Sequence, residues 1–184
     1  MLKRGDSRLN KVAKFSKVSL KQWEEAIRSQ TDAITEESIL ELYQGIKIPE
    51  RATSGSAGYD FYSPLWLPLE PGESVRIPTG IRCELDEGWV LAIFPRSGLG
   101  TKRRFTPDNL VPIVDGDYAY SDNEGHIWLM MTYNGHPNKS GQGTLTINRG
   151  DAIAQGIFLP FGITIDDQAT GKRNGGFGST GGAQ

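Results

Sequence analysis

Hydrophobic and polar positions change their period once along this chain, near residue 46. Ser19 opens Ser-Leu-Lys-Gln, a capping-box pattern, and Leu20, Trp23, Ala26 and Ile27 follow at helical spacing, which predicts a short helix. Thr35 begins a second, with Glu36 and Glu37 in its first turn, Ile39, Leu40, Leu42 and Tyr43 as its apolar face, and Gly45 as its stop. From Ile46 onward, short runs rich in β-branched and aromatic residues (Ser74 to Ile77, Trp89 to Phe94, Ile127 to Tyr133) alternate with turn signals. These signals recur at Pro71-Gly72, Pro78-Thr79-Gly80, Asp86-Glu87-Gly88, Asn148-Arg149-Gly150 and Phe161-Gly162. No later segment holds a helical period over the length of a full helix. The pattern predicts an all-β barrel or sandwich of short strands preceded by two helices.

The two ends differ from this body. Residues 1–18 carry Lys3, Arg4, Arg8, Lys11, Lys14 and Lys17 against Asp6 alone and read as a solvated, partly mobile arm. The last fourteen residues contain six glycines around one aromatic, Phe177, and cannot bury a core of their own. That tail is a linker or a lid.

Composition narrows the function classes. A chain of 184 residues with 37% hydrophobic residues and 23 glycines suits one domain and excludes a collagen, a coiled coil and a disordered chain. Twenty Lys and Arg against 22 Asp and Glu leave a net charge of −2, so no long-range field attracts nucleic acid or membrane. A nucleotide would have to be held locally. Cys83 is the sole cysteine, which excludes an internal disulfide and a thiolate zinc site and reads as a small buried hydrophobe. The start, Met-Leu-Lys-Arg-Gly-Asp, has no apolar stretch behind it, so neither a signal peptide nor a membrane span is expected, and a cytoplasmic protein is.

Five segments carry candidate chemistry. Ser56-Ala57-Gly58-Tyr59-Asp60-Phe61-Tyr62-Ser63 alone reads as a strand with one carboxylate. Pro95-Arg96-Ser97-Gly98-Leu99-Gly100 offers a guanidinium, a hydroxyl and glycine-freed N–H groups, which can form an anion-binding concavity or simply a turn. Asn109 through Tyr118 places Asp115 and Asp117 around Gly116, as a hairpin signal also would. Gly150-Asp151-Ala152-Ile153-Ala154-Gln155 turns into a strand bearing one amide, and Arg173 to Gly182 combines a cation, glycines, Phe177, Ser179 and Thr180, as wrapping a polyphosphate requires.

In this order, over roughly Pro49 to Gly182, the five segments resemble the five motifs of the homotrimeric dUTP diphosphatases (dUTPases). The long stretch from Asp115 to Ile127 is most similar to the form found in Gram-positive bacteria and their phages. The resemblance implies an all-β jelly-roll barrel spanning residues 49–167. An N-terminal extension with two short helices (1–48) would precede it, and a flexible glycine-rich arm (168–184) would close over the active site. It implies hydrolysis of dUTP to dUMP and pyrophosphate, which keeps uracil out of DNA and supplies dUMP for thymidylate synthesis. It also implies Mg2+ as cofactor and a homotrimer with active sites at subunit interfaces.

By the same resemblance Asp115 activates the attacking water, and Tyr118 stacks beneath deoxyribose and excludes a 2′-hydroxyl. Asn109 contributes to reading uracil, and Arg96, Ser97 and Gly98 hold phosphates. Asp60 and Gln155 touch waters of the magnesium and nucleophile network. Phe177 covers the uracil ring while Arg173, Ser179 and Thr180 clasp the β- and γ-phosphates. The chain departs from the family at Pro112, where glycine is usual but the carbonyl remains available to uracil, and at Ala152, where arginine is usual. Lys172 competes with Arg173 for the phosphates.

The chemistry agrees on physical grounds. Hydrolysis of a polyphosphate needs a divalent cation and preorganised donors, and magnesium prefers phosphate oxygens and retained waters to a protein cage. Asp115, after the apolar run Leu110 to Val114, is the acid best placed for water exclusion. His126 and His136 are not expected to act, and covalent catalysis lacks its residues. Two alternatives stand. A dCTP deaminase of the same fold would need a glutamate where Met131 stands, with Glu124 a solvated substitute. A regulatory, protein-binding relative would use residues 1–45.

Overall fold

A computed structural model describes residues 9–135 and 143–171 of the chain. Both expected helices form. In α1 (Leu20–Arg28) the Ser19 hydroxyl accepts from the Gln22 N–H at 3.1 Å, and in α2 (Glu36–Gln44) Thr35 caps the Ser38 N–H and Gly45 ends the helix.

The expected mobile arm is instead partly a strand. β1 (Ala13–Lys17) pairs antiparallel with β5 (Ile81–Leu85), Phe15 opposite Cys83. Its cause lies beyond the local sequence: Phe15 packs on Tyr59, Phe61 and Phe158 at centroid distances of 5.5–5.6 Å, and its partners come from distant segments. Lys14 is exposed, while Lys17, three positions on and so on the other face, is half-buried with Nζ donating to Tyr43 O at 2.8 Å, so the charge pattern concealed a half-buried strand.

The remaining strands are β2 (Tyr59–Tyr62), β3 (Leu67–Leu69), β4 (Glu73–Pro78), β6 (Trp89–Pro95), β7 (Phe105–Pro107), β8 (Ile113–Val114), β9 (Trp128–Tyr133), β10 (Leu145–Ile147) and β11 (Ala152–Pro160). They form sheets ordered β2-β11-β6-β8 and β4-β9-β7, with two-stranded pairs β1-β5 and β10-β3. The chain is mostly β, as expected, but no closed barrel is formed among the described residues. Two segments expected as turns coil more tightly: Ser97–Arg103 is a seven-residue helix, α3, and Gly116–Tyr120 is a 3-10 helix.

One core unites the extension with the sheets. Trp23, Ile27, Ile39 and Ile46 cluster with Phe61, Ile77, Leu91, Leu129 and Met131, all buried. Contact is close enough that a side chain at Gly80 would lie 2.3 Å from the Ile46 side chain, and Gly80 itself sits at φ +71. The helices are therefore one wall of the core. Cys83 is buried and its thiol is pushed up to about 12 by burial and the neighbouring Glu84, as a packing cysteine should be. No helix among the described residues is long and apolar enough to cross a membrane.

Candidate active site

Strand register assembles the first group of residues. In β2 and β11 Asp60 stands opposite Gln155, and Gln155 stands opposite Phe94 of β6, one residue before Pro95 and two before Arg96. Asp60 Oδ1 lies 3.2 Å from Arg96 Nε, and Gln155 Nε2 donates to the Pro95 carbonyl at 3.3 Å. A side chain at Gly58 would meet Gln155 Oε1 at 2.7 Å, so glycine is what lets the chain pass this amide. Asp60 is mostly covered and Arg96 less so, which leaves a carboxylate holding a guanidinium toward solvent.

Beyond Arg96 an open cleft of about 500 Å3 is lined by Arg96, Ser97, Gly98, Thr146, Asp151 and Ala152. Ser97 and Gly98 begin α3 and are exposed, and their N–H groups precede the first intrahelical donor, Gly100, which bonds Arg96 O at 2.7 Å. The cleft thus offers one oriented cation, one hydroxyl and unspent N–H groups, a donor set for an anion. At Ala152, where a family arginine is usual, only the carbonyl faces Arg96, at 3.5 Å.

The second group lies elsewhere. Asp115 follows β8, whose Val114 pairs with Leu91 and Ile113 with Ala92, so Asp115 emerges at the start of β6 while Arg96 follows its end. At about 3.3 Å per residue the two are roughly 20 Å apart. Asp115 is exposed, so the water exclusion expected of its apolar flank is not supplied among the described residues. Asn109 is exposed in the turn before it, where Leu110 adopts φ +61 and Val111 N–H donates to Asn109 O at 2.6 Å. The Pro112 carbonyl, expected to serve uracil, accepts the Ile93 N–H at 2.9 Å and is already part of the sheet.

Tyr118, expected to stack beneath deoxyribose, lies inside the chain. It is 2% exposed, its hydroxyl donates to His126 O at 2.7 Å and accepts from Asn123 Nδ2 at 2.9 Å. The segment from Ala119 to Gly125 folds back over it, so the described chain presents no open Tyr118 face for a sugar to stack on.

Glu124, expected to be solvated, is clasped instead: Ser19 N–H and Oγ donate to its two carboxylate oxygens at 2.8 and 2.6 Å. Burial raises its pKa, but the two Ser19 hydrogen bonds together with the charges of Arg82 and His126 outweigh burial and hold the carboxyl below its usual range. His126 is wholly buried, with Nε2 accepting the Gly80 N–H at 2.9 Å, and burial together with Arg76 lowers its pKa to about 4 against the opposing pull of Glu124. The ring packs within the core. Burial and the hydrogen-bonded Glu50 raise Tyr62 beside Asp60.

Arg173, Phe177, Ser179, Thr180, Lys172 and His136 lie outside the described residues. Sequence reasoning missed the Asp60–Arg96 pair and the Ser19–Glu124 clasp. The first was accessible from two motifs read as paired strands; the second spans 105 positions and leaves no local signature.

Architecture and cleft define a mostly β protein with an anion-binding donor set at the end of its central strand. The family model described as dUTPase matches residues 44–181. The deoxyuridine 5'-triphosphate nucleotidohydrolase of Lactococcus lactis is 38% identical over 140 residues, 74% of this chain and 89% of the relative. That of Paraburkholderia phymatum is 37% identical over 143 residues, covering 73% and 89%. Among solved structures, the dUTPase of Streptococcus mutans superposes with a TM-score of 0.58 at 28% identity over 82% of this chain and 97% of that one. A mutant dUTPase of phage phi11 of S. aureus, described with a structural Mg(II) ion, shares the fold at TM-score 0.55 and 24% identity, covering 70% and 92%. The chain belongs to the dUTPase family.

Proposed function

We propose that this chain hydrolyses dUTP to dUMP and pyrophosphate, and that each active site combines residues from different copies of a homotrimer. The observation that carries this is the Asp60-oriented Arg96 at the mouth of a cleft with Ser97 and Gly98, in a chain of the dUTPase family. Arg96, the Ser97 hydroxyl and the nearby N–H groups receive phosphate oxygens and take up charge as the bond between the α-phosphorus and the leaving oxygen breaks. Asp115 accepts a proton from the water whose oxygen bonds to the α-phosphorus, and pyrophosphate departs. Asn109 reads the base. Arg173, Phe177, Ser179 and Thr180 are proposed to close over base and phosphates.

Among the described residues no group of three or more His, Cys, Asp or Glu could hold a metal ion. Asp60 and Gln155, side by side across β2 and β11, would hold waters of a magnesium ion carried on substrate phosphates. When bound, it would neutralise polyphosphate charge.

The composite site follows from distance, because an acid roughly 20 Å from the phosphate donors cannot serve them within one chain. A surface suited to a second copy is present: Leu159, Phe161, Ile163 and Ile165 are all exposed, at every second position as the chain leaves β11. Tyr118, being covered, is assigned the anchoring of the Asp115 loop and not sugar stacking. The deaminase reading loses its base, because Met131 is a wholly buried core residue. The regulatory reading loses its free appendage, because α1 and α2 are packed into the core.

The test is to incubate the protein with magnesium and each deoxynucleoside triphosphate and to measure pyrophosphate and ammonia. Pyrophosphate from dUTP is expected, with Asp115→Asn binding dUTP and losing most turnover. Ammonia from dCTP, or normal turnover by Asp115→Asn, would overturn the assignment.

A further inference from the structure

The segment from Ala119 to Gly125, which lengthens the third motif, has no residue assigned a role, yet it is heavily bonded. Asn123 is its hub: Oδ1 accepts from Ser121 Oγ at 2.8 Å and from Gly125 N–H at 3.2 Å, Nδ2 donates to the Tyr118 hydroxyl, and its carbonyl accepts His126 N–H at 3.0 Å. From β5, Arg82 Nη2 donates to Ala119 O at 2.6 Å. From the other side, Ser19 at the start of α1 grips Glu124 through both carboxylate oxygens.

Glu124 holds this place at a cost. Its φ is +57, in the left-handed region where glycine would be strain-free. Strain of this kind persists only where surrounding contacts over-determine it. Here the contact is a charge-assisted clasp onto a helix that lies outside residues 44–181, the part of the chain shared with the family model. The loop so gripped follows directly on the 3-10 helix that begins after Asp115, with Tyr118 as the buried link.

We propose that Glu124 is a positioning residue, and that through its clasp on Ser19 the N-terminal helix braces the loop that aims Asp115. This rests on the reading of Asp115 as the general base. The N-terminal extension then serves the same reaction as the family core, by fixing where that base stands relative to a substrate held largely by another copy.

The test compares Glu124→Gly, which keeps the left-handed backbone and deletes the carboxylate, with Ser19→Ala, Ser19→Thr and the unaltered chain. Steady-state dUTP hydrolysis and hydrogen exchange of residues 115–125 are both measured. In Glu124→Gly, kcat should fall on the order of tenfold because the base is mispositioned, while KM changes by less than about threefold because the phosphate donors are untouched. Exchange should accelerate in 115–125 and not in β4 and β9. Ser19→Ala should show the same pattern more weakly, and Ser19→Thr, which keeps both donors, should restore kcat. An unchanged kcat in Glu124→Gly, faster exchange throughout the core, or a KM that rises in step with the kcat loss would overturn the brace. Should Glu124→Gly fail to fold, the Ser19 pair decides alone: equal kcat in Ser19→Ala and Ser19→Thr refutes it. If the unaltered chain does not hydrolyse dUTP, the functional reading fails instead, and the exchange result still reports on the clasp.

Discussion

Lowering the pH should weaken this fold through one residue whose contribution can be worked out. His126 is wholly buried between the rings of Trp23 and Trp128, at centroid distances of 6.4 and 5.2 Å, and its Nε2 accepts the Gly80 N–H. The neutral ring therefore carries its proton on Nδ1, which finds no hydrogen-bond partner among the described residues. Burial and Arg76 depress its pKa from 6.5 to about 4, with Glu124 pulling the other way. A depressed folded pKa means that the unfolded chain takes up a proton at higher pH than the folded one. The stabilisation is complete above about pH 6.5 and is lost as the pH falls toward 4. A gap of about 2.5 units at about 1.4 kcal/mol per unit makes the loss about 3 kcal/mol. Glu124, also depressed, loses its clasp in the same direction. Urea unfolding at fixed protein concentration between pH 7 and pH 4 measures the sum, and His126→Gln, which keeps an acceptor for Gly80 but does not titrate, removes the histidine share. Identical pH slopes in the two proteins, or a His126 ring that titrates near 6.5 by NMR, would refute the reasoning.

Two other substitutions probe the frame around the site. Gly125→Ala adds a Cβ 2.6 Å from the Ala119 Cα and 2.7 Å from the Tyr118 carbonyl, at φ +68, and should destabilise the fold by more than about 2 kcal/mol in thermal or urea unfolding. A loss below 0.5 kcal/mol, roughly the range of an ordinary surface change, would mean that the loop does not pack as described. Trp23→Ala removes a fully buried side chain whose Nε1 donates to Ile39 O at 3.2 Å, and about 3–5 kcal/mol should be lost if α1 is a wall of the core. An effect confined to a local loosening of residues 9–45, with the sheets as stable as before, would contradict that.

Legibility in the sequence followed the range of the interactions. Ser19, Thr35 and Gly45 act within four residues of themselves, so both helices and their ends could be read directly. β4, β6 and β9 carry enough β-branched and aromatic residues to declare themselves. β1 did not, because its lysines are what a flexible arm would carry and only the distant Tyr59, Phe61 and Phe158 make Phe15 a core residue. The compact helix α3 was hidden because two of its first four residues are glycine, a poor helix former held here by position between β6 and β7. At the site, residue types alone pointed only to Arg96, Ser97 and Gly98, the family resemblance added Asp60 and Gln155, and strand register sets Asp60, Gln155 and the end of β6 side by side. The burial of Tyr118 was not legible, since the bonds that cover it come from Asn123 and His126, which the third motif's lengthening adds without a pattern of their own.

Subunit complementation tests the central claim most directly. Asp115→Asn and Arg96→Ala should each be nearly inactive toward dUTP, one lacking the base and the other the oriented cation. If each site draws Arg96 from one copy and Asp115 from another, unfolding the two variants together and refolding them at equal concentration creates sites with both groups intact. Random assembly of a trimer places the correct pair at about a quarter of the sites, so about a quarter of the unaltered activity should return. A mixture no more active than its two parents would contradict the composite site, and with it the assignment of Asp115 and Arg96 to one reaction.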